Sequence, residues 1–260
     1  MKSIRFLRAL SLILVIAFLL PACTATVARE EETDAPDAPV SGDLRPRVAL
    51  TFDDGPHPTR TKQIVDELDK YGFHATFFVL GNRIDGTEMD ASDAMCYAID
   101  AGNEVGIHGY SHQVYYHKCT DKVYNAELRD TKVAIRDAKK GYRISLMRPP
   151  GGADCISDAR VENSSYAIID WDVDSLDWEN KYRPGDTEED WERKVNNIVN
   201  NVLDDVEEGS IILMHDIYES TYDAVVVLLA RLDEMGYEVV TVSELLGDEL
   251  TPGKVYHRAS

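Results

Sequence analysis

The chain has 260 residues, 44% of them hydrophobic, which is enough to bury one sizeable core and gives no reason to expect a second domain. Its 47 acidic residues outnumber its 27 basic ones, for a formal net charge of −20. Because nucleic acid attracts basic surfaces and repels acidic ones, this charge argues against nucleic acid as a partner.

The first 22 residues have the pattern of a secretory signal. A basic start is followed by an apolar run over residues 9–20, which is too short to span a bilayer comfortably. The run ends in Leu-Pro-Ala-Cys, which is similar to the lipobox of bacterial lipoproteins. We therefore expect an exported protein, anchored by a lipid on Cys23 to the outer face of a bacterial cell membrane; an ordinary cleaved signal is the alternative. Export makes one disulfide plausible, and we expect it between Cys96 and Cys119.

Residues 23–46 are rich in Ala, Pro, Asp and Glu and have no helical or strand period, so they are predicted to be a disordered linker. Over residues 47–247, strand patterns alternate with helical ones, which predicts parallel βα units closed into a barrel within a single domain. Residues 248–260 are predicted to be a polar tail. The predicted strands are 48–52, 74–80, 104–107, 145–148, 166–175, 210–214 and 237–242. The predicted helices are 59–71, 91–101, 121–140, 188–207 and 222–235.

The first predicted strand ends in two adjacent carboxylates, Asp53 and Asp54, followed by a Gly-Pro turn. The carboxyl ends of parallel strands are where α/β folds place their sites. Because neighbouring strand residues point to opposite sides, one aspartate can hold a metal while the other moves a proton. A solvated Asp-Gly turn is the alternative for this segment taken alone.

The third predicted strand ends at His108, and His112 follows four residues later, on the same face of a helical turn. With Asp54 as a third ligand, they form a His/His/Asp set with an open position. Such a set suits zinc or a similar divalent ion, which makes water nucleophilic near neutral pH. Two histidines at this spacing are weak evidence alone, but their place after a strand strengthens it.

Three later strand ends add further polar groups. Arg148 precedes Pro-Pro-Gly-Gly; an arginine there is suited to orient a carboxylate, and a backbone amide in this loop can bind a developing oxyanion. Residues 170–178 are rich in aspartate and tryptophan, and aromatic faces suit sugar rings or a small acyl group. His215 follows four apolar residues, where it is either a hydrogen-bonded core group or a general acid.

These five blocks, in this order, resemble the polysaccharide deacetylases of the NodB-homology type, known as carbohydrate esterase family 4, over residues 47–246. The matching motifs are Thr-Phe-Asp-Asp-Gly, His-x-x-x-His, Arg-x-Pro-x-Gly, Asp-Ser-x-Asp-Trp and Leu-x-His. The resemblance implies a distorted (β/α) barrel of seven to eight parallel strands. It also implies a hydrolase, expected to be monomeric, that removes acetyl groups from N-acetylated sugars of a cell-wall or chitin-like polysaccharide. An acetylxylan esterase and a non-catalytic glycan-binding lipoprotein are the alternatives.

The resemblance also implies a role for each polar group. Asp53 would be the general base, oriented by Arg148, and His215 the general acid, positioned by Asp177. One divalent metal ion, zinc or alternatively cobalt, nickel or manganese, would be held by three ligands: Asp54, His108 and His112.

The same resemblance implies that Trp178 and Leu213 wall the pocket for the acetyl methyl group. Two positions depart from the family pattern. Gly151 stands where the family usually has a tyrosine whose amide binds the oxyanion, so the amide is kept while an aromatic wall is lost and the groove should be wider or more mobile. Ile107 stands where an asparagine is common, which affects the tuning of the metal ligands but not ligation itself.

Overall fold

The computed structural model describes residues 45–86, 91–113 and 115–260. The predicted signal, the lipidation site Cys23 and nearly all of the predicted linker lie outside these residues. Within the described ranges, no helix combines the length and the apolar character needed to cross a membrane.

In the described part of the chain, nine strands form one sheet, and every pairing between them is parallel. Their order is β6-β7-β1-β2-β3-β4-β5-β9, with β8 beside β1. The strands are β1 (Arg47–Gly55), β2 (Thr76–Leu80), β3 (Glu104–Gly109), β4 (Leu146–Met147), β5 (Ala167–Ile169), β6 (Val173–Asp174), β7 (Ile211–His215), β8 (Glu238–Val239) and β9 (Val255–Tyr256). The predicted single-domain barrel of parallel strands is confirmed as a curved half-barrel.

Helices surround the sheet and fill most of the connections between strands. They are α1 (Arg60–Asp69), α2 (Gly81–Ile84), α3 (Ser92–Asp100), α4 (Asp121–Ala138), α5 (Asp158–Glu162), α6 (Glu188–Leu203), α7 (Glu219–Glu234) and α8 (Val242–Leu246). Because helices cover its outer face, the sheet is apolar on both sides, as parallel sheets generally are.

Strand β1 lies between β2 and β7 at the middle of the sheet. Its apolar residues, from Val48 to Phe52, are wholly buried. The ring of Phe52 stacks on that of Phe77 in β2, with centroids 5.1 Å apart. This apolar run therefore delivers Asp53 and Asp54 to the carboxyl edge of the sheet at its centre.

The predicted strand 166–175 is wrong as one element, because it forms two strands at opposite ends of the sheet order. Strand β5 pairs with β4 and β9, whereas β6 pairs with β7. Only residues 170–172 join them, and a link of this length spans at most about 14 Å. The two ends of the sheet must therefore approach each other here, which gives the sheet its barrel-like curvature.

The predicted polar tail, 248–260, is also corrected, since it contributes β9 to the sheet edge. The neighbouring strand prediction, 237–242, was too long because Thr241 begins helix α8 with a capping box. The Thr241 hydroxyl accepts from the Glu244 amide at 3.2 Å, and the Glu244 carboxylate accepts from the Thr241 amide at 2.9 Å. The strand therefore ends at Val239, two residues before this cap.

The predicted disulfide between Cys96 and Cys119 is not formed, and both thiols are free. The sulfur of Cys96 lies 3.5 Å from the carbonyl of Ala138, at the end of α4. The sulfur of Cys119 lies 3.5 Å from a guanidinium nitrogen of Arg160, which is in α5. Each thiol thus has a different neighbour, and the two sulfurs do not approach each other as closely as a disulfide bond requires.

Candidate active site

Polar side chains from several strand ends meet at the carboxyl edge of the sheet, as the sequence predicted. Strand β1 supplies two aspartates, β3 supplies one histidine and precedes another, β4 precedes an arginine, and β7 ends in a histidine. The loop after β6 adds one carboxylate. The groups involved are Asp53, Asp54, His108, His112, Arg148, Asp177 and His215.

Arg148 is wholly buried and orients Asp53. One guanidinium nitrogen, Nη1, donates to Asp53 Oδ1 at 2.9 Å and to Thr51 Oγ1 at 2.7 Å. The other two nitrogens donate to the carbonyls of Ile169 and Asp170 at 3.1 and 2.9 Å. Because every nitrogen is used, the guanidinium is fixed, and its Nη1 atom holds one oxygen of the carboxylate in place.

Asp53 is buried, and burial by itself would raise the pKa of this carboxyl. The positive charge of Arg148, together with that of His215, outweighs burial and lowers the pKa below its usual value. Asp53 is therefore an anion at neutral pH, the form that can accept a proton.

Asp54, His108 and His112 form a group in which all three candidate ligand atoms lie within 4.8 Å of one another. Asp54 Oδ1 is 3.5 Å from Nε2 of each histidine. The Nδ1 atom of His108 lies 2.9 Å from the Arg148 carbonyl, so it carries the proton and leaves the Nε2 lone pair towards Asp54.

Asp54 Oδ1 is buried and has no hydrogen-bond partner in the described residues. A buried carboxylate oxygen without a partner is costly, and the His108 nitrogen beside it offers a lone pair rather than a proton. The donor set therefore fits a divalent cation such as zinc, which nitrogen and carboxylate ligands bind.

Unusual backbone geometry and a half-buried carboxylate hold this group in place. Asp54 and His112 both have positive φ angles, 69° and 57°, in the left-handed region that residues other than glycine seldom adopt. The turn between the two histidines is fixed by Glu127 of α4. Its carboxylate accepts from the amides of Tyr110 and Ser111 at 2.6 and 3.0 Å. No sequence pattern pointed to Glu127, since it is one of many polar residues on that helix.

His215 and Asp177 form the second charged pair of the site. Asp177 is wholly buried and accepts from Nδ1 of His215 at 2.8 Å, from its amide at 2.7 Å, and from Thr221 Oγ1 at 2.6 Å. Burial alone would lower the pKa of His215, but Asp177 raises it to about 9. His215 is therefore protonated at neutral pH. Thr221 is a further residue that the sequence did not suggest.

The residues predicted to wall a pocket lie beside these pairs. Leu213 is buried in β7 two residues before His215, on the same face of the strand. Trp178 follows Asp177 directly and is 43% exposed. The Gly151 amide donates no hydrogen bond within the described residues, so it is available to a ligand. The Ile107 side chain is wholly buried and offers no polar contact to the histidines.

A parallel half-barrel with an Asp–Arg pair, a His–Asp pair and a His/His/Asp group at its carboxyl edge is an arrangement suited to hydrolysis. The profile of the family described as polysaccharide deacetylase matches residues 42–166. A peptidoglycan-N-acetylglucosamine deacetylase of Bacillus cereus is 34% identical over 207 residues, covering 76% of this chain and 87% of the relative. The chain belongs to the polysaccharide deacetylase family.

Two more relatives extend the comparison. The peptidoglycan-N-acetylmuramic acid deacetylase PdaC of Bacillus subtilis is 37% identical over 83% of this chain, which spans only 40% of that relative. Its solved structure has a TM-score of 0.67, covering 78% of this chain and 90% of that one. A family 4 acetyl xylan esterase from Clostridium thermocellum, solved with a cobalt ion, is 27% identical with a TM-score of 0.68, covering 82% and 98%.

Proposed function

We propose that this protein is a metal-dependent deacetylase of N-acetylated cell-wall glycan. The observation that carries the proposal is a pair of neighbouring groups with opposite partners: Asp53 accepts from Arg148 Nη1 at 2.9 Å, and His215 Nδ1 donates to Asp177 at 2.8 Å. Arg148 favours the anionic form of Asp53, and Asp177 raises the pKa of His215 to about 9. Environments that separate a base from an acid in this way mark the two partners of a hydrolysis.

The residues divide the work of amide hydrolysis between them. Asp53, oriented by Arg148, accepts a proton from the attacking water while the oxygen of that water bonds to the acetyl carbon. The Gly151 amide donates to the carbonyl oxygen as negative charge develops there. His215, held by Asp177, gives its proton to the nitrogen as the carbon–nitrogen bond breaks, which leaves acetate and a free amine.

The metal group and the pocket complete the site. A divalent ion, zinc in our proposal, would be held by Asp54, His108 and His112, and would supply Lewis-acid polarisation and acidification of water. Trp178 and Leu213 would enclose the acetyl methyl group. This ligand set is also compatible with the cobalt found in the esterase neighbour.

An amino-sugar substrate is favoured over an ester because an amine is the poorer leaving group and needs a protonated partner. His215 supplies that proton. The peptidoglycan deacetylases among the relatives support cell-wall glycan as the polymer. O-Acetylated xylan is the second candidate, on the evidence of the acetyl xylan esterase neighbour. The basic, apolar leader and the lipobox support export and anchoring through Cys23.

The test is acetate release by protein stripped of metal and reloaded with zinc, on peptidoglycan, an N-acetylglucosamine tetramer and acetylated xylan. We expect zinc-dependent release from the amino-sugar substrates. Asp53→Asn should abolish release, whereas Asp69→Asn, which changes an exposed aspartate of α1, should not. Release from xylan alone would support the esterase, and glycan binding without release would support a binding protein.

His215→Ala separates amide from ester cleavage. Loss of a general acid typically costs about 100- to 10,000-fold, and the loss should be greater on the N-acetyl tetramer than on an activated aryl acetate, whose leaving group needs no proton. Equal losses on both substrates would contradict the acid role of His215.

A further inference from the structure

Residue 151, in the loop after β4, is a glycine, and the side chains of Cys155 and Tyr115 lie where its own side chain would be. Gly151 has a φ of +83°, and a Cβ built on it would lie 2.8 Å from the sulfur of Cys155 and 3.1 Å from Cε1 of Tyr115. The first distance is shorter than real Cβ atoms tolerate. A side chain at position 151 would clash with the Cys155 sulfur and crowd the Tyr115 ring, and glycine leaves both where they are.

The backbone around Tyr115 is fixed although its side chain is 47% exposed. The His117 amide donates to the Cys155 carbonyl at 2.6 Å, which ties this segment to the loop that contains Gly151. The next residue, Tyr116, is wholly buried and packs edge-on against Tyr124, with ring centroids 5.0 Å apart. A ring that is exposed on a fixed backbone is already positioned for contact with a ligand.

Tyr115 lies beside Gly151, whose amide is available to a ligand, and these two residues define the rim of the site. Tyr115 follows His112 of the metal group by three residues in the chain, and its ring edge contacts the loop that begins at Arg148. A half-exposed tyrosine presents a large apolar face at little entropic cost, which suits the face of a sugar ring.

We propose that Tyr115 is a substrate-binding residue that stacks on a sugar ring next to the acetylated one, in place of a side chain at position 151. This inference rests on the proposed function and deepens it, because it concerns polymeric substrates alone. A small acetyl ester does not reach the rim, so its hydrolysis does not depend on Tyr115.

The experiment measures the Kd for the N-acetylglucosamine tetramer by calorimetry, the KM and kcat for its deacetylation, and hydrolysis of a small aryl acetate. Tyr115→Ala should raise Kd and KM about 3- to 10-fold, the range expected for one aromatic contact, with kcat and aryl acetate hydrolysis within about twofold. Tyr115→Phe keeps the ring and should match the wild type.

Trp191→Ala is the matched control. Trp191 is 45% exposed and stacks on Tyr182, with centroids 4.8 Å apart, on helix α6. Its removal takes away an equally exposed aromatic ring and should leave the tetramer KM unchanged. Tyr115→Leu, which keeps apolar bulk against Gly151 without an aromatic face, should behave as Tyr115→Ala does, and it serves if the alanine variant does not fold.

Several results would overturn the inference. One is an unchanged Kd for the tetramer in Tyr115→Ala or Tyr115→Leu, and another is a loss of affinity in Tyr115→Phe equal to that in Tyr115→Ala. A third is an equal fall in the rate of aryl acetate hydrolysis, which would mean that Tyr115 supports the turn between the two histidines. A wild type that releases no acetate refutes the proposed function, while the Kd comparison still decides the role of Tyr115. A wild type that does not bind the tetramer refutes both.

Discussion

Replacing Asp177 by asparagine removes the charge that sets the protonation state of His215. The variant keeps the size of the side chain and one oxygen, but that oxygen cannot replace a carboxylate that accepts three hydrogen bonds, two from His215 and one from Thr221. The amide nitrogen that takes the place of the second oxygen is a donor and faces another donor. We expect folded protein with a neutral His215.

The size of the effect follows from the pKa of His215, about 9 compared with 6.5 for an ordinary histidine. At about 1.36 kcal/mol per pKa unit, this difference corresponds to ~3 kcal/mol of preference for the imidazolium. Since burial lowers the pKa and Asp177 is the main group that raises it, removal of the Asp177 charge should bring it well below 9. At pH 7.5 the variant should then deacetylate the N-acetyl tetramer about 100-fold or more slowly than the wild type.

The same pair makes the stability of the wild type depend on pH. Because the folded-state pKa of His215 is raised, its stabilising contribution is fully present below pH 6.5 and is lost as the pH rises towards 9. The free energy of unfolding from urea titrations of metal-free protein should therefore fall across this window in the wild type. In Asp177→Asn the curve should be flatter over the same window.

The direct assay is an NMR titration of the His215 imidazole in metal-free protein, assigned by comparison with His215→Ala among the 7 histidines of the chain. Glu179→Gln, which removes an exposed charge two residues away, is the control and should leave the His215 pKa near 9. An Asp177→Asn protein in which His215 still titrates near 9, or which deacetylates at the wild-type rate, would refute the reasoning.

Three further changes test how the site is supported. Glu127→Gln should weaken binding of a divalent ion by about 10- to 100-fold, measured by calorimetry, because the carboxylate holds the turn between the two histidines; an unchanged affinity would remove Glu127 from the site. Gly55→Ala should cost about 1–3 kcal/mol in urea unfolding, since the added Cβ would lie 2.4 Å from the buried Asp216 carboxylate; a wild-type midpoint would show that Asp216 can move away. Arg148→Met should cost about 3–5 kcal/mol in the same assay because it leaves a buried carboxylate without its cation, and a stable variant would mean that this carboxylate becomes protonated at little cost.

The sequence predicted the groups that lie at strand ends, because a parallel sheet brings the carboxyl ends of its strands to one edge whatever their separation in the chain. His108 and Arg148 meet Asp53 across 55 and 95 residues in this way. Neither Glu127 nor Thr221 could be found so, since each lies within a helix and becomes part of the site only through packing.

The errors in the fold have a similar origin. Strand β9 has only two residues, and its apolar content is too small to distinguish it from a polar tail. The break between β5 and β6 lies in a stretch with continuous strand character, and it arises from the closure of the sheet rather than from any local signal. Tyr115 likewise depends on a neighbour, because the glycine that admits its ring lies 36 residues further along the chain.

The two adjacent aspartates show how backbone geometry divides the roles within one motif. Strand alternation predicts that Asp53 and Asp54 point to opposite sides, but the pairing of β1 with β2 shifts register between Asp53 and Gly55, and Asp54 has a φ of 69°. Both carboxylates consequently approach His108, at 3.7 and 3.5 Å from its Nε2 atom. The two aspartates differ in the contacts that they make besides His108. Asp53 is held by the Arg148 guanidinium, while Asp54 keeps a buried oxygen without a partner.

The free-energy cost of this motif falls on the residue that is placed to bind a metal. A left-handed residue other than glycine costs on the order of 1–3 kcal/mol, and an unpartnered buried oxygen adds to that cost. Both penalties fall on Asp54, the residue with the ligand geometry, and a bound cation would offset them. The charge of Asp53 is balanced by Arg148, so Asp53 needs no bound ion to stay unprotonated. The motif thus gives one carboxylate the structure of a ligand and the other that of a base.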